Sequence, residues 1–161
     1  MYIDEFKTFK SPTAGLTIER SRHYYIPKDV GFSASKPSKV AEIFEEIMDV
    51  SMLPEEFVWA LALDNKLHPV GLFEIVHGTS EKAYIDVKDV YKRLLLVNAA
   101  GFVLVHNHPS KDPLPSDPDK VLANKLTDAG DLLGIKMVDF LIVCDENCYF
   151  SFLNNGLLVK S

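Results

Sequence analysis

The chain lacks most of the devices that brace a small protein from outside its core or tie it to another phase. It has two cysteines, Cys144 and Cys148, four positions apart. That spacing fits neither a zinc knuckle nor a disulfide framework, so both are read as reduced, structural thiols. A membrane-spanning helix needs roughly 20 consecutive apolar residues. No run comes near that length, so no membrane partner is expected. The amino terminus carries Asp4 and Glu5 and no apolar signal core, which makes a cytoplasmic location the expectation. Positive charge is scarce as well: 17 Lys and Arg face 23 Asp and Glu, for a net charge of −6. Proteins that grip duplex DNA concentrate basic residues in a patch or stripe. The short mixed pieces at 7–10 and 19–23 do not amount to one, so direct nucleic-acid binding by this chain alone is disfavoured. There is no internal repeat and no linker that would split it.

What is present suits one α/β domain. With 161 residues, 47% of them apolar and 25% charged, the chain is long enough to bury one substantial core. Residues 1–35 carry few readable signals. Ile18 to Ile26 has strand character, broken by Pro27 and Gly31. This part is expected to be an N-terminal extension, an arm or small hairpin, packed on or preceding a domain at 36–161. Pro37 suits a first helical turn. Val40, Ile43, Phe44 and Ile47 then mark one apolar helix face ending near Asp49. Phe57 to Leu63 predicts a buried strand, Asp64-Asn65-Lys66 a turn, and 70–77 a return strand ended by Gly78.

Further on, Asp86 with Asp89 three residues later predicts a helix with a capping box. Its packed face is Val87, Val90, Tyr91, Leu94 and Leu95, and Asn98 closes it. Gly101 to Val105 is a short apolar strand. Ser116 caps a further helix, with Val121, Leu122, Leu126, Ala129 and Leu133 inward and Gly130 and Gly134 at its end. Val138 to Val143 predicts a buried strand, Asp145-Glu146-Asn147 a turn, and Tyr149 to Leu153 an edge strand. The apolar segment Leu157-Leu158-Val159 either closes the core or joins two subunits in a homodimer.

The chemistry gathers after the Gly101 strand, in His106-Asn107-His108-Pro109-Ser110, followed by Ser116 and Asp119. Catalytic zinc commonly takes three protein ligands and leaves a fourth position for water. His106 and His108 share strand parity, so both reach one pocket. A Pro-rich loop from Pro109 to Pro115 folds the next helix's first turn, with Asp119, back over them. An activated water needs a base and a leaving amine needs an acid; one carboxylate beside the metal serves both. Glu55 and Glu56, heading the Phe57 strand, are the candidates, and only one can face the site. Ser116 is placed to support an oxyanion. Each part also has a plainer explanation. Ser-x-x-Asp is a capping box that satisfies free helix N–H groups, and Asn107 and Pro109 shape a turn. The joint pattern is more specific than its parts, and Ser116 can both cap and catalyse.

His106, His108, Ser116 and Asp119 together resemble the JAMM motif of the JAB/MPN superfamily of zinc isopeptidases and peptidases. The closer similarity is to the RadC-like branch. It runs through residues 56–64, Asn98-Ala99-Ala100, the stretch from His106 to Asp119, Ala129-Gly130, Leu132-Leu133-Gly134-Ile135 and Tyr149-x-Ser151-Phe152, roughly residues 36–159 in all. The resemblance implies an α/β, cytidine-deaminase-like fold with a mixed central sheet flanked by helices. It implies Zn2+ held by His106, His108 and Asp119, Glu56 as acid and base with Glu55 as its rival, Ser116 at the tetrahedral intermediate, and a peptide or protein substrate.

Two departures stand out. Lys111 occupies a position that is usually glycine in RadC-like proteins; if that position needs φ > 0, lysine costs about 1 kcal/mol and sets a long side chain beside the groove. RadC-like proteins also join this domain to a helix-hairpin-helix part, which residues 1–35 do not resemble. That weakens the expectation of a role in DNA repair or mobile-element biology. Beside the hydrolase stand two other readings: a DNA-associated protein without peptidase activity, and a binding module built on structural zinc. In the latter His68 or His77 would complete the coordination. His23 and Cys148 have no placement that suggests a role.

Overall fold

The computed structural model describes residues 1–13, 15–27, 32–78 and 85–158. In chain order its elements are β1 (Tyr2–Ser11), β2 (Gly15–Tyr25), α1 (Pro37–Met48), a single 3-10 turn (Val50–Met52), β3 (Glu56–Leu63) and β4 (Pro69–Gly78). Then come α2 (Val87–Leu96), β5 (Gly101–Asn107), α3 (Asp117–Leu133), β6 (Lys136–Val143) and β7 (Tyr149–Ser151). The strands make one sheet in the order β2-β1-β4-β3-β5-β6-β7. β1 runs parallel to β4 and β5 to β6, and the other neighbours are antiparallel. The α/β expectation, a mixed central sheet flanked by helices, therefore holds.

Strand parity divides the core in two. On one face Val58, Ala60 and Ala62 of β3 meet Val90, Tyr91 and Leu94 of α2 and Ala123 and Leu126 of α3. On the other face Trp59, Leu61 and Leu63 meet Val40, Ile43 and Phe44 of α1. β5, covered on both sides, is buried at every position, which is why its sequence reads as an unbroken apolar run up to His106. Each large apolar side chain fully buried this way contributes roughly 1.5–3 kcal/mol.

The helix ends follow local chemistry. Pro37 opens α1 and a left-handed Asp49 (φ 49°) closes it. Ser116 and Asp119 form a complete capping box on α3, and Gly134 (φ 69°) ends it. Gly130 lies within α3 rather than at its end. A Cβ there would stand 2.5 Å from the Ile135 carbonyl oxygen and 2.7 Å from the Tyr91 hydroxyl. The missing side chain lets α2 and α3 meet, with Tyr91 donating to the Leu126 carbonyl at 2.5 Å.

Several expectations need correction. The inward stripe of α3 is Asp119, Ala123, Leu126 and Gly130, while Val121 and Leu133 are about half exposed. The stripe keeps a helical i, i+4, i+7, i+11 phase, started by the acidic residue that faces the sheet. Leu95 of α2 is likewise exposed. Asp86 caps the Lys88 N–H, but Asp89 engages Lys92 instead of completing a capping box. β5 extends through His106 and Asn107, and β7 stops at Ser151 because the chain turns at 152–156. No periodicity marked Tyr2–Ser11, yet it pairs with β2 and with β4 through Glu5 and Leu72. Leu157 and Leu158 pack against the core on the α2 and α3 side. Gly31 and Val159 lie outside the described residues. Among those described, no helix is long and apolar enough to cross a membrane.

Candidate metal centre

β5 carries His106 at its penultimate position and His108 just past its end. The following loop returns α3 over them. The His108 N–H donates to the Val143 carbonyl at 3.2 Å, which fixes the strand exit against the end of β6. One ligand atom from each of His106, His108 and Asp119 can be chosen so that all lie within 4.8 Å of one another. Among the described residues this is the one cluster of three or more such donors, and it contains no fourth. His106 Nδ1 stands 3.3 Å from Asp119 Oδ1, and His108 Nε2 stands 4.0 Å from Asp119 Oδ2.

The environment of each donor suits a cation. His106 is only 6% exposed, and neither of its ring nitrogens has a hydrogen-bond partner. The nearby carboxylate is an electrostatic neighbour outside hydrogen-bonding geometry. An unpartnered buried polar atom is expensive unless something else satisfies it. His108 donates its Nδ1–H to the Asp112 carbonyl at 2.7 Å, which leaves Nε2 as the lone-pair nitrogen. Asp119 accepts the Ser116 N–H at 2.8 Å and the Ser116 hydroxyl at 2.5 Å, both on Oδ2. Burial opposes its ionisation, but the His106 ring and these two Ser116 donors prevail and hold its pKa at about 2. Asp119 is thus ionised and aimed before any ion arrives. Two imidazoles and one carboxylate, with no fourth donor in the cluster, match the donor set of zinc sites that keep an open position.

The two rival glutamates separate clearly. β3 and β5 pair antiparallel with Val58 opposite His106. Glu56, two residues before Val58, shares its face, and its Oε2 lies 3.6 Å from His106 Nε2. Glu55 turns instead to His77, whose ring stacks on Phe57 with centroids 4.1 Å apart. His68 faces Asp64, and His23 pairs with Asp4 in the β1–β2 hairpin. Neither His68 nor His77 joins the donor cluster.

Lys111 does sit at a left-handed position, φ 62°. Its side chain leaves the donors and bridges two segments, donating from Nζ to the Ser51 carbonyl at 2.5 Å and the Cys144 carbonyl at 3.1 Å. The residue that sequence reasoning passed over is Asn107. It is fully buried and bonded to β3, not a turn former. The available signal was an amide inside a strand otherwise buried and apolar, where a polar side chain must find partners.

Residues 34–157 match the family model described as a RadC-like JAB domain. The chain belongs to this RadC-like JAB domain family. Relatives, each carrying the name UPF0758 protein, agree. The Thermotoga maritima protein is 37% identical over 117 residues, 73% of this chain and 52% of its own length. The Geotalea uraniireducens protein is 34% identical over 125 residues, 77% of this chain and 53% of its own. A Xylella fastidiosa protein is 31% identical over 146 residues, 91% of this chain and 63% of its own. The chain spans about half the length of the first two relatives. The His-x-His loop, Ser116, Asp119 and Glu56 all fall inside the matched RadC-like region.

Proposed function

We propose that this RadC-like domain is a zinc-dependent hydrolase of peptide or isopeptide bonds. The observation that carries the reading is the buried His106 ring, which lacks any hydrogen-bond partner and lies between Asp119 on one side and Glu56 on the other. His106, His108 and Asp119 would hold the ion. Zinc bound there supplies Lewis-acid activation of a water and polarises a carbonyl.

The remaining chemistry belongs to the chain. Glu56 accepts a proton from the attacking water and returns it to the departing amine, since one carboxylate at the mouth of the site reaches both. Ser116 orients Asp119 in the resting site, and its hydroxyl turns to the carbonyl oxygen as negative charge develops there. Asp112 holds His108 in the tautomer that leaves Nε2 free. The substrate class that fits is a peptide or protein, whose scissile amide needs both an acid and a base.

The test has two arms. After zinc loading and dialysis, elemental analysis is expected to give about one zinc per chain, and absence of bound zinc overturns the reading. With zinc in place, hydrolysis of a fluorogenic peptide or isopeptide library is expected to collapse in Glu56→Gln while zinc content stays unchanged. Salt-sensitive DNA binding with no hydrolysis would replace this reading with the DNA-associated one.

A further inference from the structure

Asn107 lies between the two histidine donors, and its side chain does something neither of them does. Its amide crosses from β5 to β3. The Phe57 N–H donates to Oδ1 at 2.6 Å, and Nδ2–H donates to the Glu55 carbonyl at 2.9 Å. Those two backbone groups belong to the peptide units on either side of Glu56. The backbone ladder between β3 and β5 runs from Leu63 opposite Gly101 to Val58 opposite His106 and stops there. The amide takes over where the ladder ends, accepting from one strand N–H and donating to one strand C=O as a further ladder residue would. Its orientation follows from its partners, because the reverse would set N–H against N–H and oxygen against oxygen.

We infer that Asn107 is a positioning residue for Glu56, locking the backbone of the acid/base glutamate to the strand that carries the metal donors. The inference rests on the role proposed above for Glu56. Glu56 is the first residue of β3 and follows the bend at Pro54 and Glu55. On one side Glu56 is paired with Gly78 of β4; on the side toward β5 it has no ladder partner, and an edge without ladder bonds is where a sheet frays. The amide removes that freedom on both sides of one residue. Few side chains can do this. Aspartate keeps the acceptor and loses the donor, serine is too short to reach both groups, and glutamine is one methylene too long. A loop that carries His106 and His108 therefore also sets, through the residue between them, how far Glu56 stands from the ion.

Cobalt(II) in place of zinc makes this testable without a known substrate. It shifts the nuclear resonances of groups close to it, so the Glu56 methylene signals report the carboxylate's distance from the ion. In Asn107→Ala those shifts are expected to fall by at least about half, while the His106 and His108 ring signals and the metal content of one per chain persist. Glu56 signals that stay in place in that variant overturn the inference. Should Asn107→Ala fail to fold, Asn107→Asp, which keeps the volume and the acceptor, is read by the same signals with the same two outcomes.

Turnover of a fluorogenic peptide gives a second reading. Asn107→Ala is expected to lower it about 10- to 100-fold in the native background, and less than about twofold when Glu56→Gln is already present. Equal losses in both backgrounds would mark Asn107 as merely structural. If the native protein hydrolyses nothing, the hydrolase reading fails alone, and the cobalt shifts still decide Asn107.

Discussion

Asp119 and Asp139 are both carboxylates buried against the same sheet, 7% and 2% exposed, and they do opposite jobs. Asp139 is closed on itself. The Phe140 and Leu153 N–H groups donate to Oδ1 at 2.7 and 2.9 Å, and the Ser151 hydroxyl donates to Oδ2 at 2.6 Å. It ties β6 to the turn that ends β7. Burial raises its pKa above the usual 3.8 even though these donors pull the other way. Asp119 has Ser116 donors on one oxygen only; the other faces a histidine whose two nitrogens have no hydrogen-bond partner. The number of donors is similar. What differs is closure. A buried polar cluster in which every atom is satisfied is architecture, and one that leaves atoms open is arranged for a ligand.

The contrast is broken most directly by metal binding. His106→Ala and Asp119→Ala are expected to reduce bound zinc from about one per chain to less than a tenth of that, measured by elemental analysis after dialysis. Asp139→Ala is expected to keep its zinc and to lose about 3 kcal/mol in urea unfolding, because three donors lose a buried acceptor. If Asp139→Ala lost its zinc too, the division between open and closed clusters would collapse.

A second contrast lies between adjacent glutamates. Glu56→Gln is expected to lower peptide turnover by at least about 100-fold with zinc retained, and Glu55→Gln to stay within about twofold. A comparable loss in Glu55→Gln would show that strand parity does not choose the base.

The pH dependence of stability sharpens the carboxylate comparison in metal-free protein. The folded pKa of Asp119, about 2, lies below the usual 3.8. Its stabilisation is complete above 3.8 and is lost as pH falls toward 2. Asp139 has a raised folded pKa. Its contribution is complete below 3.8 and is lost as pH rises through the folded value. Urea unfolding between pH 2 and 7 is expected to show Asp119→Asn flattening the acid limb by about 1–2 kcal/mol and Asp139→Asn flattening the opposite limb. Identical slopes in the two variants would contradict the assigned environments.

The smallest effect is expected at Lys111. Lys111→Ala loses both carbonyl contacts and keeps the left-handed backbone, whereas Lys111→Gly loses the contacts and relieves the backbone. Thermal unfolding is expected to place the glycine variant above the alanine variant by a margin equivalent to about 1 kcal/mol. The reverse order would mean that φ at this position carries no strain.

Much of the fold was legible because its signals are local. The α1 face, the buried β3 run, the Ser116 cap and Gly134 all act within a few residues, and the structure bears each of them out. β1 was illegible for a physical reason. Of its positions Ile3 and Glu5 point into the protein, and Glu5 is a charged residue buried beneath the Tyr24 hydroxyl, which donates to it at 2.9 Å. Alternation of apolar and polar residues cannot reveal a strand whose inward position is acidic. The phase of α3 was misread because Asp119 begins its buried stripe and two of the other inward positions are Ala123 and Gly130, which weigh little in any apolar pattern.

Sequence alone determined the donor set. His106, His108 and Asp119 lie within a single strand, loop and first helical turn, so their spacing encodes their geometry. Only the tertiary structure decided the rest: that Glu56 and not Glu55 faces the donors, that Lys111 bridges two distant carbonyls, and that Asn107 brackets Glu56. Each of these depends on which residue of β3 stands opposite which residue of β5, or on segments tens of residues apart meeting in space. Register is a property of two strands together, and a shift of one residue would have turned the other glutamate toward His106.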